Sequence, residues 1–266
     1  MRINLRSTGK AELGWHAYCL SLMPRELLGS AQMLVLGRHS EWIERFLTSR
    51  RLYSRCDIVG FAPSTRHEES ARNGQLRVLS GTLGSAQLPA QAYDAIWSDS
   101  SLFGVRDLRR ISEQIARALK PDGLFFANEY VGPGQLEIGW AQREAIAAAY
   151  SLIPRRFRSR RSSVSIQRLL DQNRRGSLQN GGPSGMPPEN ILEVLRDHFQ
   201  LLQCRALGGT ILQFVLREIA GNFRSGEPSA TAVLDMLFAI EDALVDSGEL
   251  PSDFVMIVGS AKQTIN

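Results

Sequence analysis

Apolar residues along the chain arrive in short runs that alternate with longer amphipathic stretches. Ala31–Gly37 (AQMLVLG) is a continuous apolar run that ends on glycine, which suits a strand buried on both faces. Ser40–Ser49 follows, with Ser40 placed to cap a helix and Trp42, Ile43, Phe46 and Leu47 on one side of it. Cys56–Phe61, Leu76–Ser80, Tyr93–Ser98 and Gly123–Glu129 are four further strand-like runs. Asp107–Lys120 places Leu108, Ile111, Ile115 and Leu119 on one stripe, and the Pro121-Asp122-Gly123 turn is expected to stop that helix. Strands separated by crossover helices predict a parallel, doubly wound α/β sheet.

After Pro133 the pattern changes. An alanine-rich helix is expected over Gln135–Leu152, then an arginine-rich stretch, then a polar and flexible one (QNGGPSG) whose Gly181–Gly185 part is expected to be mobile. Pro188–His198 reads as an amphipathic helix and Phe199–Leu207 as a sixth strand. Thr210–Phe223 and Thr231–Ser247 read as two helices, the second with a stripe of Val233, Leu237, Ile240 and Leu244. Asp253–Gly259 (DFVMIVG) is the last strand. The expected organisation is one domain over 1–266, with a helical, arginine-rich insertion at 133–190 and a helical insertion at 208–250. The inserted helices are expected to cover a cleft mouth or form a dimer surface, because their apolar stripes must be buried.

Composition narrows the possible functions. With 43% hydrophobic and 22% charged residues, the chain is an ordinary globular one. No apolar run approaches the roughly 20 residues needed to span a bilayer, and the first 30 residues lack an apolar signal core. Cys19, Cys56 and Cys204 lie far apart and form neither a metal spacing nor a disulfide framework. A cytoplasmic protein without a metal is therefore expected. The formal net charge is +4, yet Ser151–Asn180 alone holds eight arginines against the single acid Asp171. Such a segment can attract anions, but lysine occurs only three times in the chain. A solvated, arginine-rich helix surface is the expected reading, and nucleic acid is not an expected partner. His16, His67 and His198 lack metal spacing, and no nucleophile-elbow, Walker or zinc signature is present.

In a doubly wound sheet, ligands bind beyond the carboxyl ends of the strands at the switch point beside the first strand. The first loop to consider reads Gly37-Arg38-His39-Ser40-Glu41-Trp42, and the end of the next strand reads Gly60-Phe61-Ala62-Pro63-Ser64. Several stretches carry a more specific signal: MLVLG…WIER, YDAIWSDSSL, ISEQIARALKPDGLFFANEYVGP, PSGMPPENILEVLRDHFQLLQCRALGGTILQFVLREIAGNF and LPSDFVMIV. In these the chain resembles a class I S-adenosylmethionine-dependent methyltransferase. The closest likeness is to a bacterial group found with saccharide and natural-product biosynthesis. The resemblance implies a Rossmann-like sheet of seven strands, the last one antiparallel, and the residue pattern adds helical insertions after the fifth and sixth.

It also implies where the cofactor should lie: along Gly37, Arg38, His39, Ser40 and Glu41, at Phe61 and Ala62, and at Thr82 and Leu83. Most of the polar positions in that set depart from the family pattern. The second and third glycines of the first loop fall on His39 and Glu41, and side chains there remove the freedom that glycine gives to φ and to close backbone approach. Glu41 also brings a negative charge to where the cofactor brings its own carboxylate. The ribose-binding acid falls on Ala62, and the acid that contacts adenine falls on Thr82. The resemblance places Asp99 near the reactive methyl, as a base or substrate acceptor, and Glu129 and Tyr130 along the substrate cleft. Asp99 reads equally well as a cap for the following loop. Glu129 and Tyr130 read equally well as ties for the loop before Gly132-Pro133. The expected function is that of a repurposed or pseudo-methyltransferase in a small-molecule or saccharide biosynthetic pathway, acting alone, as a homodimer or with a biosynthetic partner protein. The alternative is an active O- or N-methyltransferase on a small molecule or saccharide, in which Glu68, Glu69 and His39 rewire the S-adenosylmethionine site.

Overall fold

β1 (Gln32–Leu36) and β4 (Tyr93–Asp99) are buried along nearly their whole length, so both faces of the sheet are covered there. A computed structural model describes residues 6, 9–10, 12–37, 43, 46–47, 49–60, 76–79, 83–103, 105–132, 138–159, 163–164, 166–167, 169, 190–223 and 227–262. The strands are β1 (Gln32–Leu36), β2 (Arg55–Val59), β3 (Leu76–Val78), β4 (Tyr93–Asp99), β5 (Leu119–Tyr130), β6 (Phe199–Gly208) and β7 (Phe254–Ala261). They form one seven-stranded sheet in the order β3-β2-β1-β4-β5-β7-β6. Strands β1 to β5 pair in parallel, and the final strands are antiparallel. This is the doubly wound α/β sheet that the alternation predicts.

The chain divides into two compact units. The first comprises Met1–Val131, Glu189–Arg205 and Val255–Asn266. Helices described in full there include α1 (Trp15–Ser21), α2 (Leu108–Ala118) and α4 (Ile191–His198). One face of the sheet buries Leu34, Leu36, Ile96, Phe125 and Ala127 with Leu108, Ile111 and Ile115 of α2 and with Ile191, Val194 and Leu195 of α4. Across the pleat, Trp97 packs at 4.6 Å from Phe126 and at 5.9 Å from Trp15 of α1. His16 stacks on Trp97 in this cluster, and burial pushes its pKa down to about 3. It is a neutral core residue.

The second unit comprises Gly132–Pro188 and Ala206–Phe254. It contains α3 (Trp140–Leu152), the short α5 (Leu212–Val215) and α6 (Pro228–Asp246). Its own core gathers Ile138, Ile146, Tyr150, Ile211, Val215, Ile219 and Leu237. The Val233, Ile240 and Leu244 stripe of α6 packs against it. Glu241 is fully buried and accepts bonds from the Gly209, Ile211 and Leu212 amides, which fixes the start of α5.

Several helix limits differ from the sequence expectation, among them the start of α6 at Pro228 where Thr231 is expected. The helix expected over Asp107–Lys120 ends at Ala118, because Lys120 precedes Pro121 and is driven toward extended backbone. Asp107 caps its other end through the Arg110 amide. Pro121-Asp122-Gly123 then lies inside β5, where the register steps from Tyr93↔Leu119 to Ala95↔Leu124. A Cβ on Gly123 would lie 2.9 Å from the Tyr93 carbonyl oxygen, so this bulge requires glycine. The helix expected from Gln135 starts at Trp140, after Gly139. Thr210–Phe223 is not one helix: α5 stops at Val215, and a 3-10 turn over Ala220–Asn222 follows. Ile211, Leu212, Val215 and Ile219 are buried all the same, so packing is satisfied by turns. The Ser40 cap and the Gly181–Gly185 stretch lie outside the described residues.

A carboxylate that the strand pattern concealed ties three strands together. Asp57 of β2 is fully buried. Its carboxylate accepts two bonds each from Arg55 and Arg77 of β3, and one from the Tyr93 hydroxyl of β4 at 2.6 Å. Burial pushes the Asp57 pKa up, but the bonds from Arg55, Arg77 and Tyr93 outweigh it and hold the carboxyl below its ordinary 3.8. Asp57→Ala should therefore cost about 3 kcal/mol, the low end for breaking a buried pair, since both guanidinium groups also reach water. A depressed pKa stabilises above the unfolded value and loses that contribution in acid. In denaturant titrations the gap between wild type and variant should be full at pH 7 and should shrink below pH 3.8.

Candidate functional site

The sheet order reverses direction between β1 and β4, so the switch point lies at their carboxyl ends. Gly37 follows β1 there with φ +99°, a conformation open to glycine and costly for other residues. Its amide donates to the Val59 carbonyl of β2 at 2.8 Å. Where a Cβ would stand, the Ser101 hydroxyl oxygen lies within 1.6 Å. The Ser101 hydroxyl faces the Leu36 carbonyl at 2.8 Å and the Asp99 carbonyl at 2.9 Å. The loop after β4 is thus folded directly onto the end of β1.

Ser100 makes that fold possible. It takes a left-handed φ of +50° and donates its amide to the Asn128 carbonyl at 2.8 Å. Beneath it, Glu129 of β5 is fully buried. The carboxylate accepts the Ser98 hydroxyl at 2.5 Å, the Ser101 amide at 3.1 Å and the Leu102 amide at 3.2 Å. Burial pushes its pKa up to about 7. The three bonds oppose that rise, and the nearby Asp99 charge adds to it. Asp99 is itself nearly buried and accepts from the Asn128 side-chain amide at 3.0 Å. These two residues are register partners at the ends of β4 and β5. With its amide nitrogen facing a carboxylate, Asn128 turns its Oδ1 the other way, and that oxygen is buried without a donor. The Tyr130 ring meets Phe103 edge-on at 4.8 Å, and Phe103 is 41% exposed.

Of the residues singled out in the sequence, the structure places Gly37, Asp99, Glu129 and Tyr130 at this end of the sheet. Leu83 lies in the core with Leu34 and Leu36. Arg38, His39, Ser40, Glu41, Phe61, Ala62, Thr82, Glu68 and Glu69 lie outside the described residues. Ser98, Ser101 and Asn128 belong to the same network and were not singled out. Adjacent parallel strands ending in SDSS and ANEY would have pointed to them, once β4 and β5 were paired in register. Among the described residues, no group of three or more His, Cys, Asp or Glu could hold a metal ion. No helix among them is long and apolar enough to cross a membrane.

Comparison with known proteins agrees with this layout. A family model described as a methyltransferase domain matches residues 37–127, the stretch from the β1 loop to the end of β5. No curated protein matches the chain by sequence. Among solved structures, the methyltransferase in complex with the Haloferax volcanii Trm112 methyltransferase activator is 16% identical. That match covers 98% of this chain and 95% of the other, with a TM-score of 0.52. A Galdieria sulphuraria protein assigned as a sarcosine dimethylglycine methyltransferase is also 16% identical, with 92% and 82% coverage and a TM-score of 0.50. The fold is that of the class I methyltransferases.

The pH dependence of the Glu129 network can be checked. A carboxyl raised from 4.5 to about 7 is penalised when it ionises inside the protein. Stability should therefore fall as pH rises from about 4.5 to about 7 and level off above. Glu129→Gln keeps the shape and removes the titration. Its thermal midpoint should lose that part of the pH dependence, which is worth about 3 kcal/mol at most. An unchanged pH profile in the variant would place the titrating group elsewhere.

Proposed function

We propose that this chain is a repurposed or pseudo-methyltransferase, with the class I fold and a switch-point pocket that holds S-adenosylmethionine weakly or not at all. The observation that carries the reading is the closed polar network at the ends of β1 and β4. Glu129 takes up the Ser98 hydroxyl and the Ser101 and Leu102 amides, and Ser101 fills the space beside Gly37. Groups that could face a ligand are bonded to one another instead. The sequence supplies the rest. His39 and Glu41 stand where the fold's first loop uses glycine, and Ala62 offers no acceptor for ribose hydroxyls. In this reading His39, Glu41 and Ala62 do not fit S-adenosylmethionine, so no methyl-transfer step is derived through it.

In this reading Glu129 is a positioning residue that acts through the loop after β4. Asp99 and Tyr130 line the ligand side, and Leu83 supports the pocket from the core. The ligand is a small molecule or saccharide of a biosynthetic pathway, and the protein acts in the cytoplasm, as a homodimer or with a partner protein. The Haloferax neighbour is seen with an activator, which supports looking for a partner here.

A second reading draws on one observation. The Asn128 Oδ1 is an unused acceptor beside Asp99, and it would suit a ligand bearing N–H or O–H. This favours an O- or N-methyltransferase with a rewired cofactor site.

Isothermal titration calorimetry with S-adenosylmethionine and S-adenosylhomocysteine separates the two readings. If each missing contact costs about 1 kcal/mol, affinity falls by roughly two to three powers of ten. The variant combining His39→Gly, Glu41→Gly and Ala62→Asp should bind at least about 100-fold tighter than the natural chain. Micromolar binding by the natural chain, or turnover with a methyl acceptor, would overturn the first reading.

A further inference from the structure

Arg143 stands on the first turn of α3, in the second unit, and is only 7% exposed. Its Nε is buried without a hydrogen-bond partner, and no ion pair or aromatic ring reaches its guanidinium among the described residues. Charged side chains are almost never this deeply buried unless they are paired. The carboxylates of this unit's interior do not serve it. Glu241 is committed to the Gly209, Ile211 and Leu212 amides. Asp253 accepts from Gln142 and Gln213 and forms no ion pair with Arg143.

The end of α3 where Arg143 sits is also incomplete. Its N-cap is Gly139, with no side-chain cap and no acid in the first turn. The first helical bond runs from the Arg143 amide to the Gly139 carbonyl, so the Trp140, Ala141 and Gln142 amides have no acceptor within the helix. A Cβ built on Gly139 meets nothing within 4 Å, so space is open at that end. Side chains on a helix lean toward its N-terminus, the direction in which those amides lie from Arg143. Trp140 beside it is 68% exposed.

We infer that the N-terminus of α3 and Arg143 form a binding site for an oxyanion, the carboxylate or phosphate group of a small-molecule ligand. Free amides and the positive end of the helix dipole favour such a group. Arg143 supplies the full charge and a planar fork of donors that matches two oxygens. The isolated guanidinium gains in the complex the partner that it lacks. The site is independent of the fate of the S-adenosylmethionine pocket.

The test uses the full-length protein and follows its thermal midpoint at pH 7 in inorganic phosphate or acetate, against sodium chloride at equal ionic strength. At about 100 times its dissociation constant, the effective ion should raise the midpoint by roughly 5 °C over chloride. Response to phosphate alone, acetate alone or both identifies the oxyanion and supports the site. Arg143→Met keeps an apolar stem and should abolish the response. Gly139→Asp is sterically open and places a carboxylate of the chain's own at the helix end. It should raise the midpoint without added ions and remove the ion dependence. A midpoint no higher than in chloride, or a response retained in both variants, overturns the proposal.

Discussion

The buried Glu129 carboxylate is the constraint on which the functional end of the sheet depends. It lies at the end of β5, yet it bonds to a hydroxyl on β4 and to two amides of the loop after β4. That loop in turn lays Ser101 against Gly37 and the end of β1. Three consecutive strands of the switch point therefore share one anchor. Burial makes it costly, with the carboxyl pushed up to about 7, and the bonds it accepts are what make the cost bearable. Glu241 repeats the device in the second unit, where a buried carboxylate collects three amides at the start of α5. In both places a buried glutamate satisfies the amides of a turn of backbone.

Internal satisfaction bears directly on function. A pocket built to hold a polar ligand leaves donors and acceptors facing the cavity. At the switch point they face one another, and the Asn128 Oδ1 is the acceptor left over there among the described residues. The second unit shows the opposite state at α3, where nearly buried Arg143 lies near the start of a helix that has no side-chain cap. At the ends of β4 and β5 the described polar groups are largely bonded to one another, whereas the Arg143 Nε of the second unit is not.

Much of the fold was legible from apolar runs alone. β1 and β4 are buried on both faces, and such strands have no periodicity to misread. The helix stripes on α2, α4 and α6 were equally plain. Local chemistry that acts against periodicity was harder to see. Lys120 leaves its helix because of the next residue, and the buried residues of 211–219 are gathered by turns rather than by one helix. Asp57, which the strand pattern does not single out, accepts bonds from two arginines and a tyrosine. At the site, Gly37 could be placed from the end of its strand, and Asp99 and Glu129 through the family resemblance. Ser98, Ser101 and Asn128 could not, because their roles arise from the register between β4 and β5, which is a property of pairing and not of either strand.

The central claim is that the Ser101 and Leu102 amides are bonded to Glu129 and are not held for S-adenosylmethionine. Amide hydrogen exchange at these two residues, with and without about 1 mM S-adenosylmethionine, measures this most directly. The account predicts slow exchange of both amides in the protein alone and no change when the compound is added. Fast exchange in the protein alone, slowing when S-adenosylmethionine is present, would contradict it.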